Sequence, residues 1–283
     1  MIRNPDFVRL WIAETISQFG TQISLLALPL VAVTLLEATP LEVALLGTIE
    51  FLPFILFSLP AGAWVDRLRR RPILILGDLG RAVALASVPV AFVLDVLTIW
   101  QLYVVGFTAG TLTVLFDVAY QSYLPSLVER DQLVDGNGKL EISRTLAQTA
   151  GPALGGGLIG LITAPIAILA DAMSYGLSAL FVWLIRRPEP TPDPHRDEHG
   201  RARGSLASEV RDGLRFVLGN PYLRGIAAST GISNLFSNIA MATIIVYAVR
   251  ELGLSPAGIG LAFGLGNLGA LLGAVSADRI RRT

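Results

Sequence analysis

The chain has 283 residues, 53% of them hydrophobic and only 16% charged, with a formal net charge of zero and a mean hydropathy of +0.61. Soluble domains carry roughly 25% charged residues, so this chain lacks the polar surface to cover a globule in water, and its charge balance gives no global attraction to nucleic acid. It has no cysteine, which excludes a disulfide framework, a thiol nucleophile and a cysteine metal site.

A membrane-crossing helix needs about 20 apolar residues. Eight segments meet that length, at 10–35, 42–65, 73–94, 99–121, 144–163, 166–186, 222–249 and 256–277. The start, Met1 to Arg9, is polar, and the run after it is too long for a signal peptide, so it reads as an uncleaved first span. Turn chemistry separates the spans: Glu37-Ala38-Thr39-Pro40, the charged stretch Asp66 to Arg71, Asp95, the segment Pro125 to Ser143, Thr163-Ala164-Pro165, and Glu251 to Pro256. Lys and Arg accumulate on the cytoplasmic side of a membrane. With the N-terminus in the cytoplasm, Arg3, Arg9, the Arg67 to Arg71 cluster, Arg130, Lys139, Arg144, Arg186, Arg187 and Arg279 to Arg282 fall inside, and only Arg250 falls outside. The outer turns carry Glu37, Glu42, Asp95 and Glu251. The expected location is therefore the cell (inner or plasma) membrane, multi-pass, with the N-terminus cytoplasmic.

The segment 187–220 is a cytoplasmic linker. It begins proline-rich and charged, and Ser205 to Leu218 then places Leu206, Val210, Leu214, Val217 and Leu218 at helical spacing, the pattern of an amphipathic helix on the membrane surface. The chain also repeats. Asn4-Pro5 recurs as Asn220-Pro221, Ile16-Ser17 as Ile232-Ser233 and Pro40 as Pro256, all at one offset of 216 residues. Asp66-Arg67 recurs as Asp278-Arg279 at a slightly shorter offset. Span seven thus repeats span one, and span eight repeats span two, in the same orientation. The expected fold is an all-α membrane protein: a six-helix N-terminal bundle (1–186), the linker, and the first two helices of a second, parallel-repeat bundle (221–283). A second half of equal size needs four further spans, so the chain reads as C-terminally truncated.

Between spans two and three lies Gly62-x-x-x-Asp66-Arg67-x-x-Arg70-Arg71. Span four ends in Phe116-Asp117-Val118-Ala119-Tyr120-Gln121, span five carries Gly151-Pro152-Ala153-Leu154-Gly155-Gly156, and span six carries Asp171-Ala172-x-Ser174-Tyr175. These stretches resemble the major facilitator superfamily of secondary transporters, and within it the bacterial drug, macrolide and siderophore exporters. The resemblance implies that Gly62, Asp66, Arg67, Arg70 and Arg71, with Asp278 and Arg279 in the second copy, form a gating loop. In that loop Asp66 would dock on a helix N-terminus of the other half. It also implies that Gly151, Pro152, Gly155 and Gly156 form the antiporter motif linked to export. Ala147 stands where that motif has its first glycine, and Arg69 where the loop has glycine. Independently of the resemblance, the glycines give span five a bare face for close helix approach, against a glycine-rich span eight.

Acids inside spans are costly and default to functional candidates. Glu50 is nearest mid-membrane and fits a proton carrier best; Glu14, Asp117 and Asp171 lie nearer the span ends, and Asp78 and Arg81 can neutralise each other one turn apart. Gln18, Gln22 and Tyr120 join these as candidate cavity residues. Gly264-Leu265-Gly266-Asn267-Leu268-Gly269 matches a dinucleotide-binding pattern, but inside an apolar span with no preceding strand it reads as helix packing. His195 and His199, in the linker, make a poor metal site. No nucleophile–base pair or phosphate loop is present, so the chain reads as a non-enzyme without cofactor or metal. The expected function is proton-coupled export of a hydrophobic or amphipathic small molecule by alternating access. Its partners are the substrate, protons and the lipid bilayer, and the reading also admits a separate chain carrying the remaining C-terminal helices. Two other readings stay open: an importer of the same fold, and a truncated chain without transport activity that acts as a membrane partner.

Overall fold

The computed structural model describes residues 4–189 and 205–267. The sequence readings at Asp278, Arg279, His195, His199 and Gly269 lie outside these residues. The described chain is a succession of helices: α1 Pro5–Thr34, α2 Pro40–Val65, α3 Arg70–Val93, α4 Ile99–Leu127, a 3-10 turn Arg130–Gln132, α5 Leu133–Ile162, α6 Ala164–Trp183, α7 Leu206–Gly219 and α8 Pro221–Arg250. A further helix, α9, is described over 256–267.

The starts of these helices follow from capping chemistry. The Asn4 side chain accepts from the amides of Asp6 at 3.1 Å and Phe7 at 3.2 Å, and Pro5 opens the helix at a position where its missing N–H costs nothing. Asn220-Pro221 does the same for α8, accepting from Tyr222 at 3.0 Å and Leu223 at 3.3 Å. Thr39 and Glu42 form a reciprocal capping box at α2. Ser255, before Pro256, accepts from Gly258 at 3.2 Å. Within the described residues, the recurring Asn-Pro pairs thus open α1 and α8 with the same cap, and the recurring prolines Pro40 and Pro256 each follow a hydroxyl residue that accepts from an amide three residues on.

α1 packs on α5 and α6, α3 on α4 and α6, and α2 on α4 and α8, with α7 lying against α2 and α8. One buried cluster joins Leu26 to Val33 of α1 with Val43, Leu46, Ile168, Ile245 and Ile259; a second gathers Phe7, Leu10, Leu74, Tyr123, Val182 and Ile185 at the opposite end of the bundle. Around the outside the surface is oily: Ile55 is 77%, Val83 72%, Trp100 73% and Leu161 84% exposed. An apolar belt of that extent belongs in lipid. Among the described residues, six helices, α1, α2, α3, α4, α6 and α8, are long and apolar enough to cross a membrane, so the protein is an all-α, multi-pass membrane protein.

Two boundaries differ from the sequence reading. α4 continues through Pro125 to Leu127, and α5 begins at Leu133, not 144, so only residues 128–132 separate them. Proline that close to the end of α4 removes a single hydrogen bond, and the polar residues Asp135, Asn137, Lys139 and Glu141 sit on a helix rather than in a loop. The described α5 is also less apolar than the six spans, because Gln148, Thr149, Gly151, Pro152 and the run Gly155 to Gly157 dilute it.

The ends of the bundle differ in charge. One, the basic end, carries Pro5, the α2–α3 loop and Arg186-Arg187; the other, the acidic end, carries Glu37, Asp95 and Glu251. At the basic end the helices cap one another. Arg69, at the N-cap of α3, makes no side-chain cap; the Glu189 carboxylate supplies it, accepting from the amides of Arg70 at 2.6 Å and Arg71 at 3.1 Å. Arg71 in return donates to the last carbonyls of α6, Val182 at 3.3 Å and Trp183 at 2.5 Å. Asp6 accepts from the amides of Arg186 and Arg187, both at 3.0 Å, and Arg187 donates to the Leu127 carbonyl at 2.8 Å. Because Glu189 holds two otherwise orphaned amides at a helix N-terminus, Glu189→Ala should cost about 1–2 kcal/mol. Equilibrium unfolding in mixed micelles checks this, and Glu189→Gln, which keeps one acceptor oxygen without the charge, should lose less.

Candidate functional site

Three helices each turn one polar stripe inward. On α1 the stripe is Glu14, Ser17, Gln18, Thr21 and Gln22; on α4 it is Thr113, Phe116, Asp117, Tyr120 and Gln121; on α5 it is Asn137, Glu141, Arg144 and Gln148. Each set follows the three- and four-residue spacing that keeps side chains on one helix face. Together they enclose a cavity of about 1010 Å³, to which α2 adds Phe51, α3 adds Arg81 and α6 adds Tyr175. The cavity reaches from Gln22, Leu25 and Phe51 to Leu124, Pro125 and Leu133 at the basic end. Its size suits a small organic molecule.

Glu14 is 9% exposed. One of its oxygens accepts from Gln18 Nε2 at 2.7 Å, and the other has no partner among the described residues. Asp117 lies on the facing stripe, within electrostatic reach of Arg81 and Arg144. Arg81, 4% exposed, is the one buried basic residue among the described residues, whereas the buried acids are Glu14, Asp78 and Asp171. It donates to Asp78 at 2.5 Å and, more weakly, to Thr113 at 3.4 Å. Its guanidinium carbon lies 4.4 Å from the ring centre of Phe116 and 4.2 Å from that of Tyr175. Phe116 in turn stacks on Tyr120, centroids 6.1 Å apart. Tyr175, Arg81, Phe116 and Tyr120 thus form one run of planar groups from α6 through α3 to α4. A hydrogen bond of 2.8 Å between Tyr175 and Thr21 ties its far end to α1.

The structure brings together Glu14, Gln18, Gln22, Asp117 and Tyr120 of the residues singled out in the sequence. It does not bring Glu50 or Asp171 to the cavity. Glu50 packs into a notch on α4, where a Cβ added to Gly106 would come within 2.8 Å of its Cγ. Asp171 is 1% exposed, accepts from Ser174 at 3.0 Å, and fills the space beside Gly20. Arg81 was missed as a cavity residue: the sequence shows its pairing with Asp78 on one helix, but not the rings that reach it from α4 and α6.

Gly62, Asp66, Arg67, Arg70 and Arg71 lie away from the cavity. Asp66 is the C-cap of α2, its amide bonded to the Gly62 carbonyl at 3.1 Å. On α5, Gly151 and Gly155 face Gln22 and Ile23 of α1, while Pro152 and Gly156 face α9. There the two backbones nearly touch: a Cβ on Gly260 would lie 3.0 Å from the Cα of Gly156. Gly264 packs on Ala153, and Asn267 donates to the Gln148 carbonyl at 2.6 Å, so the glycine run of α9 is a packing surface. Among the described residues no group of three or more His, Cys, Asp or Glu side chains could hold a metal ion.

The family model described as transmembrane secretion effector matches residues 1–283. An uncharacterized MFS-type transporter, YfiS of Bacillus subtilis, is 27% identical over 211 residues, covering 75% of this chain and 49% of its own length. The multidrug efflux pump Tap of Mycobacterium bovis is 28% identical over 220 residues, 76% of this chain and 51% of the pump. The enterobactin exporter EntS of Citrobacter koseri is 25% identical over 284 residues, 98% of this chain and 64% of the exporter. The chain thus spans about half to two-thirds of the length of these relatives.

Proposed function

We propose a function from one premise: this chain belongs to the transmembrane secretion effector family of MFS-type transporters. It acts in secondary active export of hydrophobic or amphipathic small molecules across the cell membrane, by alternating access driven by protons. Export is supported by the relatives, two of which are named as an efflux pump and an exporter. The observation that carries the reading is the cavity: about 1010 Å³, walled by aromatic rings and amides, with carboxyl groups from three helices, Glu14 of α1, Asp117 of α4 and Glu141 of α5.

The basic end is cytoplasmic by the distribution of arginine, so the cavity takes cargo from the cytoplasm. Glu14 is the group that exchanges the proton. It lines the cavity, is nearly shielded from solvent and keeps one oxygen without a partner among the described residues. Asp117 faces it across the same space. Glu50, expected from its depth to carry the proton, is not among the residues lining the cavity, which supports giving that role to Glu14. Chain divisions at 186 and 220 serve this function as a six-helix half, a connecting segment with α7 on the inner membrane surface, and the first helices of the second half. The loop from Gly62 to Arg71 acts in gating, and the α5 face of Gly151, Pro152, Gly155 and Gly156 closes the path on the far side.

Everted vesicles carrying the protein test this reading. An inward-acid pH gradient should drive uptake of ethidium, a fluorescent amphipathic cation, above that of vesicles without the protein. Collapse of the gradient by a protonophore should abolish the difference; uptake that ignores the gradient would refute the coupling.

A further inference from the structure

Arg250 is the one basic residue that the sequence places at the acidic end, and the structure gives it a specific partner. It closes the last turn of α8, and its guanidinium donates to the carbonyl of Ala38 at 2.7 Å. Ala38 belongs to the turn between α1 and α2, so the bond joins the first helix after the linker to the N-terminal helices. The acceptor is rigid. Ala38 is 3% exposed, and its own amide is bonded to the Ala32 carbonyl at 2.9 Å. Glu37 holds a left-handed φ of 49°, and the Thr39–Glu42 capping box fixes the far side of the turn.

The burial of α8 is just as localised. Among the described residues, only Ala242, Ile245, Val246 and Ala248 of this helix are buried, all in its last three turns, where they share one cluster with Leu26 to Val33, Ala38 and Leu46. Farther back, Tyr222 is 81% and Phe236 64% exposed. The same cluster takes in Ile259 of α9, beside the Gly156–Gly260 contact. Among the described residues, α8 is therefore buried against the N-terminal helices at the acidic end, beyond the limit of the cavity at Leu25, while α9 follows α5 from there as far as the Asn267–Gln148 bond; the Arg250 bond lies at the edge of the acidic-end seal.

We infer that Arg250 is the latch of the gate at the acidic end: its bond to the Ala38 carbonyl holds the cavity open to the basic end and must break for the cavity to open the other way. The inference rests on the alternating-access reading above. A population held by one bond shifts by the worth of that bond. A charge-assisted hydrogen bond at a partly exposed site sets the scale at about three- to tenfold. The acceptor is a neutral main-chain oxygen, so lysine, which also donates, should substitute for arginine, whereas alanine or glutamine should not match it.

The absence of native cysteine allows a direct test. Leu25→Cys places a single thiol at the limit of the cavity, and a membrane-impermeant maleimide is applied to vesicles of each orientation. In the parent the thiol should label from the basic-end side. Adding Arg250→Ala should raise labelling from the acidic-end side by about three- to tenfold and lower it from the basic-end side, while Arg250→Lys stays within about twofold of the parent. The opposite signs separate a shifted gate from loosened structure, which raises both. Unchanged labelling in Arg250→Ala, or a rise from both sides, overturns the latch and leaves the cavity standing. A thiol that labels from neither side in the parent removes the accessible cavity, and the latch with it.

Discussion

Replacing Arg81 by methionine lowers the stability of the protein by about 3–5 kcal/mol, the cost of removing one partner from a buried ion pair. Asp78 is fully buried and Arg81 4% exposed, so solvent screens neither. The guanidinium also lies over two rings, contacts worth about 1–2 kcal/mol each when desolvated. These two contributions separate in a cycle. Asp78→Leu combined with Arg81→Met removes both charges and should recover most of the single-variant loss, because no unpaired carboxylate is left behind. What remains lost in the double variant is the ring contacts. Equilibrium unfolding in mixed micelles measures both. A double variant as unstable as Arg81→Met would mean that the rings, not the pair, dominate, and would contradict the account of Arg81 as the counter-charge of the interior.

Glu14→Gln should abolish gradient-driven ethidium uptake, to the level of vesicles without the protein, while leaving the amount of protein in the membrane unchanged. The substitution keeps the shape of the side chain and an oxygen that can still accept from Gln18, but an amide cannot carry a proton between the two sides. Glu50→Gln is the informative companion. Glu50 lies in the α2–α4 notch and not in the cavity, so its amide variant should retain most of the uptake. Loss of uptake in Glu50→Gln with retention in Glu14→Gln would reverse the assignment and return the proton to α2.

Much of the fold was legible because its signals are local. The asparagine and threonine caps before Pro5, Pro40 and Pro221 depend on neighbours two and three residues away, and the apolar runs give the spans directly. The start of α5 was not legible. Asp135, Asn137, Lys139 and Glu141 look like a loop when polarity is taken to mean the end of a span, yet Asn137 and Glu141 project into the cavity on the same helix face as Arg144 and Gln148. The cavity stripe on α1 was partly legible: Glu14, Gln18 and Gln22 recur at four-residue spacing in an otherwise apolar run. Glu50 shows the limit. Its depth in the membrane follows from counting residues along α2, but its rotation about the helix axis depends on which neighbour offers space, and that neighbour is Gly106, 56 residues farther on. Arg81 fails for the same reason, since Phe116 and Tyr175 come from other helices.

The account depends above all on the chain crossing the bilayer with its cavity open to the cytoplasm. Single cysteines at Asn137, at the basic-end limit of the cavity, and at Glu251, in the turn after α8, measure this with an impermeant maleimide applied to intact cells and to everted vesicles. Asn137→Cys should label only in everted vesicles and Glu251→Cys only in intact cells. Labelling of both positions from the same side of the membrane would contradict the topology, and with it the direction in which the cavity takes its cargo.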